Sequence, residues 1–360
     1  MRRITTFLTR TRGNPDTADK FGIADFIAYG YLLFGVLIIL VPVFWTFLSS
    51  IKPERAIDTF DTRLLPIAQV QVDIEGVGEK PIWKYMAEDG TVTDVFKAGP
   101  TRKLTDVAPV ANPEGVTQVE RKHLEPSEGI RLAVENYLDP LLKRNGQDNF
   151  HFSTYLFNSV FVTVAATLIT LLINAMAAFA LSKYQFRGRL TFTVLIVATL
   201  LIPSSIILVS LFFVVWSFGI FGSLWGVIIP AAATPTGVFL LRQYMLTIPD
   251  ELLEAARMDA ASEWRIFWRI IIPLSLPALS VLAILSVIWR WNDFLWPLIV
   301  LITDPNKHTI QLGLTQYSGE FDQDFHYILA MTVVSLIPIT LVFVWLQRFI
   351  TTGIATTGLK

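Results

Sequence analysis

The 360-residue sequence contains no cysteine, which excludes disulfides, thiolate metal sites and cysteine nucleophiles together. Charge is scarce as well, with 16% of residues Asp, Glu, Lys or Arg and a formal net charge of −1. No basic stripe supplies the phosphate neutralisation that nucleic acid would demand, so that class of partner is excluded. Histidine is the third scarcity: His123, His151, His308 and His326 are scattered along the chain. Neither HExxH nor GxSxG occurs, and GVGEK at 76–80 lacks the spacing of a phosphate-binding loop. The chain is therefore read as having no metal site, no catalytic centre and no capacity to hydrolyse ATP alone. What it has in quantity is apolar residues, 53% of the total with a mean hydropathy of +0.53, the composition of a polytopic membrane protein.

Six apolar runs, at 23–48, 154–181, 190–218, 224–245, 278–302 and 327–349, are each long enough to cross about 30 Å of hydrocarbon at ~1.5 Å per residue. The first is too long for a signal-peptide core and no small-residue cleavage site follows it, so it reads as a retained span. Lys183, Arg187 and Arg189 lie between runs two and three, and Arg257, Arg265 and Arg269 between runs four and five. The short loop after run three has no cation, and the loop 304–326 has only Lys307. By the positive-inside rule both termini are cytoplasmic, with Arg2, Arg3, Arg10, Arg12 and Lys20 in the leading tail.

This topology divides the chain into a cytoplasmic tail 1–22, a first span 23–51, an extracytoplasmic insertion 52–151 and a five-span core 152–360. Within the insertion, Val70, Val72 and Ile74 alternate, and PIWKYM and TVTDVF flank an Asp89-Gly90 pair. That pattern predicts a hairpin closed by a primed turn. Helical character comes late, in EGIRLAVENYLDPLL, and frequent prolines punctuate the rest. A small mixed or β-rich module is expected rather than a long helix.

The stretch EAARMDAASEWRIFWRIIIPLSLP at 254–277 interrupts the apolar pattern with acids and arginines at helical spacing. Burying the eight charges of 250–269 in hydrocarbon would cost on the order of 20 kcal/mol, so the stretch belongs in the cytoplasm. Thr247-Ile248-Pro249-Asp250 reads as a helix start with Thr247 as its cap. Ser262 caps a second helix whose Trp264, Phe267, Trp268 and Ile271 share one face at i, i+3, i+4 and i+7, and which Pro273 and Pro277 end. Such a pair suits either the groove of another protein or a bed of lipid headgroups.

That stretch resembles the EAA loop of ABC-importer permeases. Glu254, Ala255, Ala256, Asp259, Ile270 and Pro273 match the pattern in order and spacing, while Ala260 stands where the family has Gly and Ile272 where it has Leu. Ala in place of Gly counts against a tight turn between the helices, because Ala resists positive φ. ENYLDPLL with LFNSVFVTV, WNDFLWPL and the tail FITTGIATTGLK are similar to the carbohydrate branch, specifically to the maltose-type G-like partner. With its long insertion the chain further resembles the permeases of α-glucoside transporters.

The resemblance implies an all-α fold of six transmembrane helices, the type I ABC-importer permease, carrying a mixed or β-rich extracytoplasmic insertion between spans one and two. Implied function is the permease subunit of an ATP-driven, binding-protein-dependent importer of di- or oligosaccharides in a bacterial or archaeal inner membrane. Its implied partners are a second, homologous permease in a heterodimer, two ABC ATPase subunits that bind ATP and Mg, an extracytoplasmic sugar-binding protein and the lipid bilayer. This chain itself is expected to hold no cofactor. The coupling loop spans 247–277, with Glu254 as polar anchor, Ala255 and Ala256 allowing close approach, Asp259, Ala260 and Pro273 in the motif, and Trp264, Phe267 and Trp268 as packing surface.

In the fifth run Arg290 and Asp293 are expensive unless paired or wetted, which makes them substrate-pathway candidates together with Asn292; they could also simply pair with each other. Asn158 and Asn174 read as helix-to-helix hydrogen bonders, and Trp296 as part of an interfacial belt. An ion-coupled carrier and a membrane-anchored sensor using the insertion are the competing readings. The carrier would place its largest polar interruption at the membrane midplane, and the sensor would need an output domain.

Overall fold

The computed structural model describes residues 23–58, 63–74, 78–87, 91–100, 103–142, 152–318 and 323–357. The cationic tail 1–22 and the Asp89-Gly90 pair lie outside them. Among the described residues three helices are long and apolar enough to cross a membrane: α1 (Ile23–Ser50), α4 (Phe152–Lys183) and α14 (Phe325–Thr357).

The other expected runs are interrupted. Run three divides into α5 (Arg189–Thr199) and α6 (Ser204–Ser217), and run four into α7 (Leu224–Ile228) and α8 (Pro235–Met245). Run five divides into α11 (Leu276–Trp291) and α12 (Leu295–Val300). Proline accounts for the first two breaks, since Pro203 and Pro235 each start the second helix of the pair, where the missing N–H costs nothing. Asn292 and Asp293 separate α11 from α12. Apolar composition measured along the sequence does not register such breaks.

Between α1 and α4 lies a β-rich module. A short helix α2 (Glu54–Asp58) precedes it and α3 (Glu135–Leu142) follows it. Its strands are β1 (Ile67–Gln69), β2 (Gln71–Ile74), β3 (Gly78–Met86), β4 (Val92–Lys97), β5 (Leu104–Pro109), β6 (Thr117–Glu120), β7 (Leu124–Pro126) and β8 (Glu128–Ile130). An antiparallel sheet runs β2-β3-β4-β5-β6, with β7 paired to the edge of β3 that faces away from β4, next to β2, and β1 pairs with β8 separately. The hairpin expected from PIWKYM and TVTDVF is β3 with β4, in the register Ile82 to Phe96 through Met86 to Val92. Its last described bond runs from Ala87 N to Thr91 O, and the primed turn expected at Asp89-Gly90 lies outside the described residues.

Alternation gives the sheet two apolar faces. Ile74, Ile82, Phe96 and Ala108 pack on one; Val95, Val107, Val119 and Leu124, flanked by Trp83 and Tyr85, pack on the other. The module is tied to the end of α1 by polar bonds. Asn136 donates through Nδ2 to the carbonyls of Ser50 and Lys52, both at 2.9 Å, and the Ser50 and Tyr137 hydroxyls meet at 2.5 Å.

In the helical part α4 packs against α8, α11 and the short α13 (Ile310–Thr315), and α14 lies across α11 and α1. α1 is otherwise almost bare, with Leu33, Ile38 and Phe44 each about three-fifths exposed. In water such a surface would be untenable; it suits lipid or another helix.

Candidate functional site

The interrupting stretch forms two helices, α9 (Glu251–Met258) and α10 (Glu263–Leu274). α9 starts later than Thr247 suggested: that hydroxyl donates back to Tyr244 O, and Asp250 occupies the cap position. Asp250 is exposed and receives the Nζ of buried Lys183 at 2.7 Å, while the same Nζ donates to Ile248 O. The loop is thereby tied to the end of α4.

α9 ends in a Schellman motif. Ala261 N donates to Ala256 O and Ala260 N to Arg257 O, both at 3.0 Å, and Ala260 lies at φ +57°. Among the described residues it is the one non-glycine at positive φ. The tight turn exists despite the alanine, so the reservation drawn from sequence is corrected. The backbone accepts strain of about 1–2 kcal/mol that glycine would not carry.

Ser262 caps α10 as expected, its Oγ accepting from Arg265 N at 3.3 Å. Across the turn, Arg257 Nε donates to Glu263 Oε1 at 2.8 Å, and Tyr184 OH donates to Glu263 Oε2 at 2.5 Å. Arg257 first, and Tyr184 second, hold the Glu263 carboxyl below the usual carboxylate range. Burial and the Glu263 carboxylate push the Tyr184 phenol up to about 12. Arg257 thus pairs with Glu263 and not with Glu254. The Glu254 side chain is exposed and has no hydrogen bond or ion pair among the described residues.

The aromatics divide between two faces. Phe267 and Ile271 are buried with Ile266 in a cluster containing Phe179 of α4, Leu241 and Met245 of α8, and Leu279 and Leu282 of α11. Trp264 and Trp268 are 58% and 44% exposed and pack edge-to-face with centroids 5.8 Å apart. The single apolar face expected from i, i+3, i+4, i+7 spacing is corrected: Trp264 and Trp268 lie on one edge of that stripe and face out, Phe267 and Ile271 lie on the other and face in, and Phe267–Ile271 is a π segment. Pro273 does not end the helix either. α10 runs on to Leu274, and the 77° bend into α11 falls at Ser275. Glu254, Ala255, Trp264 and Trp268 are thus exposed, Asp259 with them, while Ala256 is half-buried.

Deeper in the helical part is a cavity of about 140 Å³ lined by Thr170, Ala231, Thr234, Leu282, Ser286, Trp289, Arg290 and Asp293. Arg290 donates through Nη2 to Thr170 Oγ1 at 2.8 Å and to Ala231 O at 2.5 Å, and through Nε to Ser286 Oγ at 3.4 Å. Ala231 lies in the break between α7 and α8, so the guanidinium satisfies a carbonyl that the break releases from helical bonding. No ion pair joins Arg290 to Asp293 among the described residues. Asp293 Oδ1 accepts instead from Trp296 N at 3.4 Å.

Asn292, just past the end of α11, donates through Nδ2 back to Ile288 O of that helix. Asn174 Nδ2 donates to Thr234 Oγ1 while its Oδ1 accepts from Thr234 N, joining α4 to the start of α8. Asn158 donates to Asn306 O and His308 O, a helix-to-loop link. Trp296 is no interfacial belt residue: it is buried, and its Nε1 donates to Gly226 O at 3.2 Å. Sequence reasoning missed Thr170, Thr234 and Ser286; hydroxyls within otherwise apolar helices were the available signal.

Residues 171–356 match the family described as binding-protein-dependent transport system inner membrane component. The chain is 31% identical over 244 residues to the arabinooligosaccharides transport system permease of Bacillus subtilis, covering 66% of this chain and 86% of that one. It is 32% identical over 253 residues to the sn-glycerol-3-phosphate transport system permease of Brucella abortus, covering 69% and 88%. The diacetylchitobiose uptake permease of Streptomyces coelicolor is 32% identical, covering 57% of this chain and 68% of that one. Among solved structures, a chain of a bacterial ABC transporter that imports the acidic polysaccharide alginate aligns with a TM-score of 0.63 at 22% identity, over 92% of this chain and 99% of that one. That last likeness is one of fold.

Proposed function

Since the chain belongs to the binding-protein-dependent inner-membrane permeases, in their carbohydrate branch, we propose that it forms half of the pathway of an ATP-driven di- or oligosaccharide importer. The proposed assembly pairs it with a second, homologous permease, two ABC ATPases and a binding protein outside the membrane. The observation that carries this reading is the loop 247–277: Glu254, Ala255, Trp264 and Trp268 are exposed on a helix pair whose inner face, Ile266, Phe267 and Ile271, is fixed in one core with α4, α8 and α11. A groove that grips the exposed face would turn those helices as a body, which is what coupling nucleotide to substrate requires. Asp259, Ala260 and Pro273 shape the loop rather than touch the partner.

In this reading α1, α4, α14 and three interrupted runs make six crossings, both termini lie on the loop's side, and the β-rich module lies outside. The carrier and sensor readings find no support in the family or the fold. For the substrate, Asp293 is the better candidate, because Arg290 already serves Thr170, Ser286 and Ala231. Asn292 is exposed and completes the candidate set. An α-glucoside is the finer proposal, tested by competition for uptake.

The assembly is tested by purifying the tagged chain from its native membrane, wild type beside Glu254→Arg. The wild type is expected to bring a P-loop ATPase and a second permease, and the mutant to lose the ATPase while keeping the permease. A wild type that purifies alone contradicts the proposal.

A further inference from the structure

At the foot of the β-rich module the fold gathers three side chains that the sequence keeps far apart. Glu54 opens α2, while Asp324 and His326 flank the start of α14, the helix against which α2 packs. One ligand atom from each lies within 4.8 Å of the other two. His326 is 6% exposed, and neither of its ring nitrogens has a hydrogen bond among the described residues. Its ring instead lies against that of Tyr327, with centroids 4.0 Å apart. The body of the ring is thus packed away while its unpartnered nitrogens still reach the cleft, open to a ligand. The carboxylates of Glu54 and Asp324 likewise have no side-chain hydrogen bond among the described residues.

A bound cation would satisfy all three groups. Imidazole nitrogen with two carboxylate oxygens is a donor set for zinc and its first-row neighbours, whereas magnesium and calcium take all-oxygen shells of higher number. Metal–ligand bonds of about 2.1 Å in a tetrahedron place ligand atoms about 3.4 Å apart, so the three must draw in by roughly an ångström. Glu54 is exposed and free to make that adjustment. Glu54 and His326 also line a cleft of about 500 Å³ between the module and α14, from which water can fill the fourth position.

We propose that Glu54, Asp324 and His326 bind one zinc-class divalent cation that clamps the foot of the module to the start of the last long helix. The site does not depend on the transport reading.

The test uses the full chain in its membrane complex, purified on a tag without histidine, stripped with chelator and titrated with Zn²⁺. Bound metal is counted by mass spectrometry, and thermal unfolding is followed in parallel. One equivalent per chain is expected, with an unfolding midpoint that rises with Zn²⁺ and not with equal Mg²⁺. His326→Ala and Glu54→Gln should each weaken binding roughly tenfold or more. Because Glu54 is exposed, Glu54→Gln should leave the metal-free midpoint unchanged, which separates lost ligation from lost fold. Binding that is absent, unchanged in both variants, matched by Mg²⁺, or abolished by His123→Ala instead would overturn the proposal.

Discussion

Ala260 holds a left-handed backbone at the close of α9, in the position where a Schellman motif favours glycine. Ala260→Gly removes strain of about 1–2 kcal/mol, against which stands an unfolded-state entropy cost of about 0.4–1 kcal/mol. The expected outcome is a net gain of up to about 1.6 kcal/mol, read as a higher thermal midpoint in detergent, whereas Ala260→Val should lower it. Glu263 is the second residue with a measurable signature. Its folded-state carboxyl is depressed, so the stability it contributes is present above the ordinary carboxylate range, near pH 4.3, and is lost as pH falls through the lower folded value. Glu263→Gln should therefore flatten the acid limb of the stability profile. Both partners are more than a third exposed, so the effect at neutral pH should stay within about 1 kcal/mol.

The inner and outer faces of α10 are expected to separate stability from coupling. Phe267 is 2% exposed and packs on Phe179, so Phe267→Ala should cost about 3–5 kcal/mol and lower the yield of folded chain. Trp264→Ala and Trp268→Ala should leave the unfolding midpoint nearly unchanged and reduce capture of the ATPase subunits; a large loss of stability in either would place those rings in the core. The existence of this helix pair was legible in the sequence, because acids and arginines at helical spacing cannot sit in hydrocarbon. Which aromatic faces inward was not legible, because a stripe four residues wide spans more than the buried face and periodicity does not say which of its edges meets α4, α8 and α11. The interrupted runs were missed for a related reason. Average apolarity is blind to a proline or an Asn-Asp pair whose released carbonyls are taken up elsewhere, as Arg290 takes that of Ala231.

Across the whole molecule, composition and cation placement were enough to read a membrane protein, and alternation within the segment between the first two runs was enough to expect strands. The six-stranded sheet and its two apolar faces were not legible, since they depend on pairings such as Thr105 to Val119 that no local pattern fixes. The same holds for Glu54 with His326. Absence of cysteine makes topology directly measurable, because every reporter thiol is introduced into a silent background. Thr117→Cys in the module should react with an impermeant maleimide in spheroplasts, and Arg265→Cys in α10 only after lysis; the reverse pattern would invert the proposed orientation. The central claim is that this chain moves sugar because ATPases drive it through the 247–277 loop. Uptake of labelled oligosaccharide into proteoliposomes holding the complex, with binding protein outside and ATP inside, tests that claim most directly. Uptake is expected only with ATP, and not in Glu254→Arg; uptake driven by an ion gradient in the absence of ATP would contradict it.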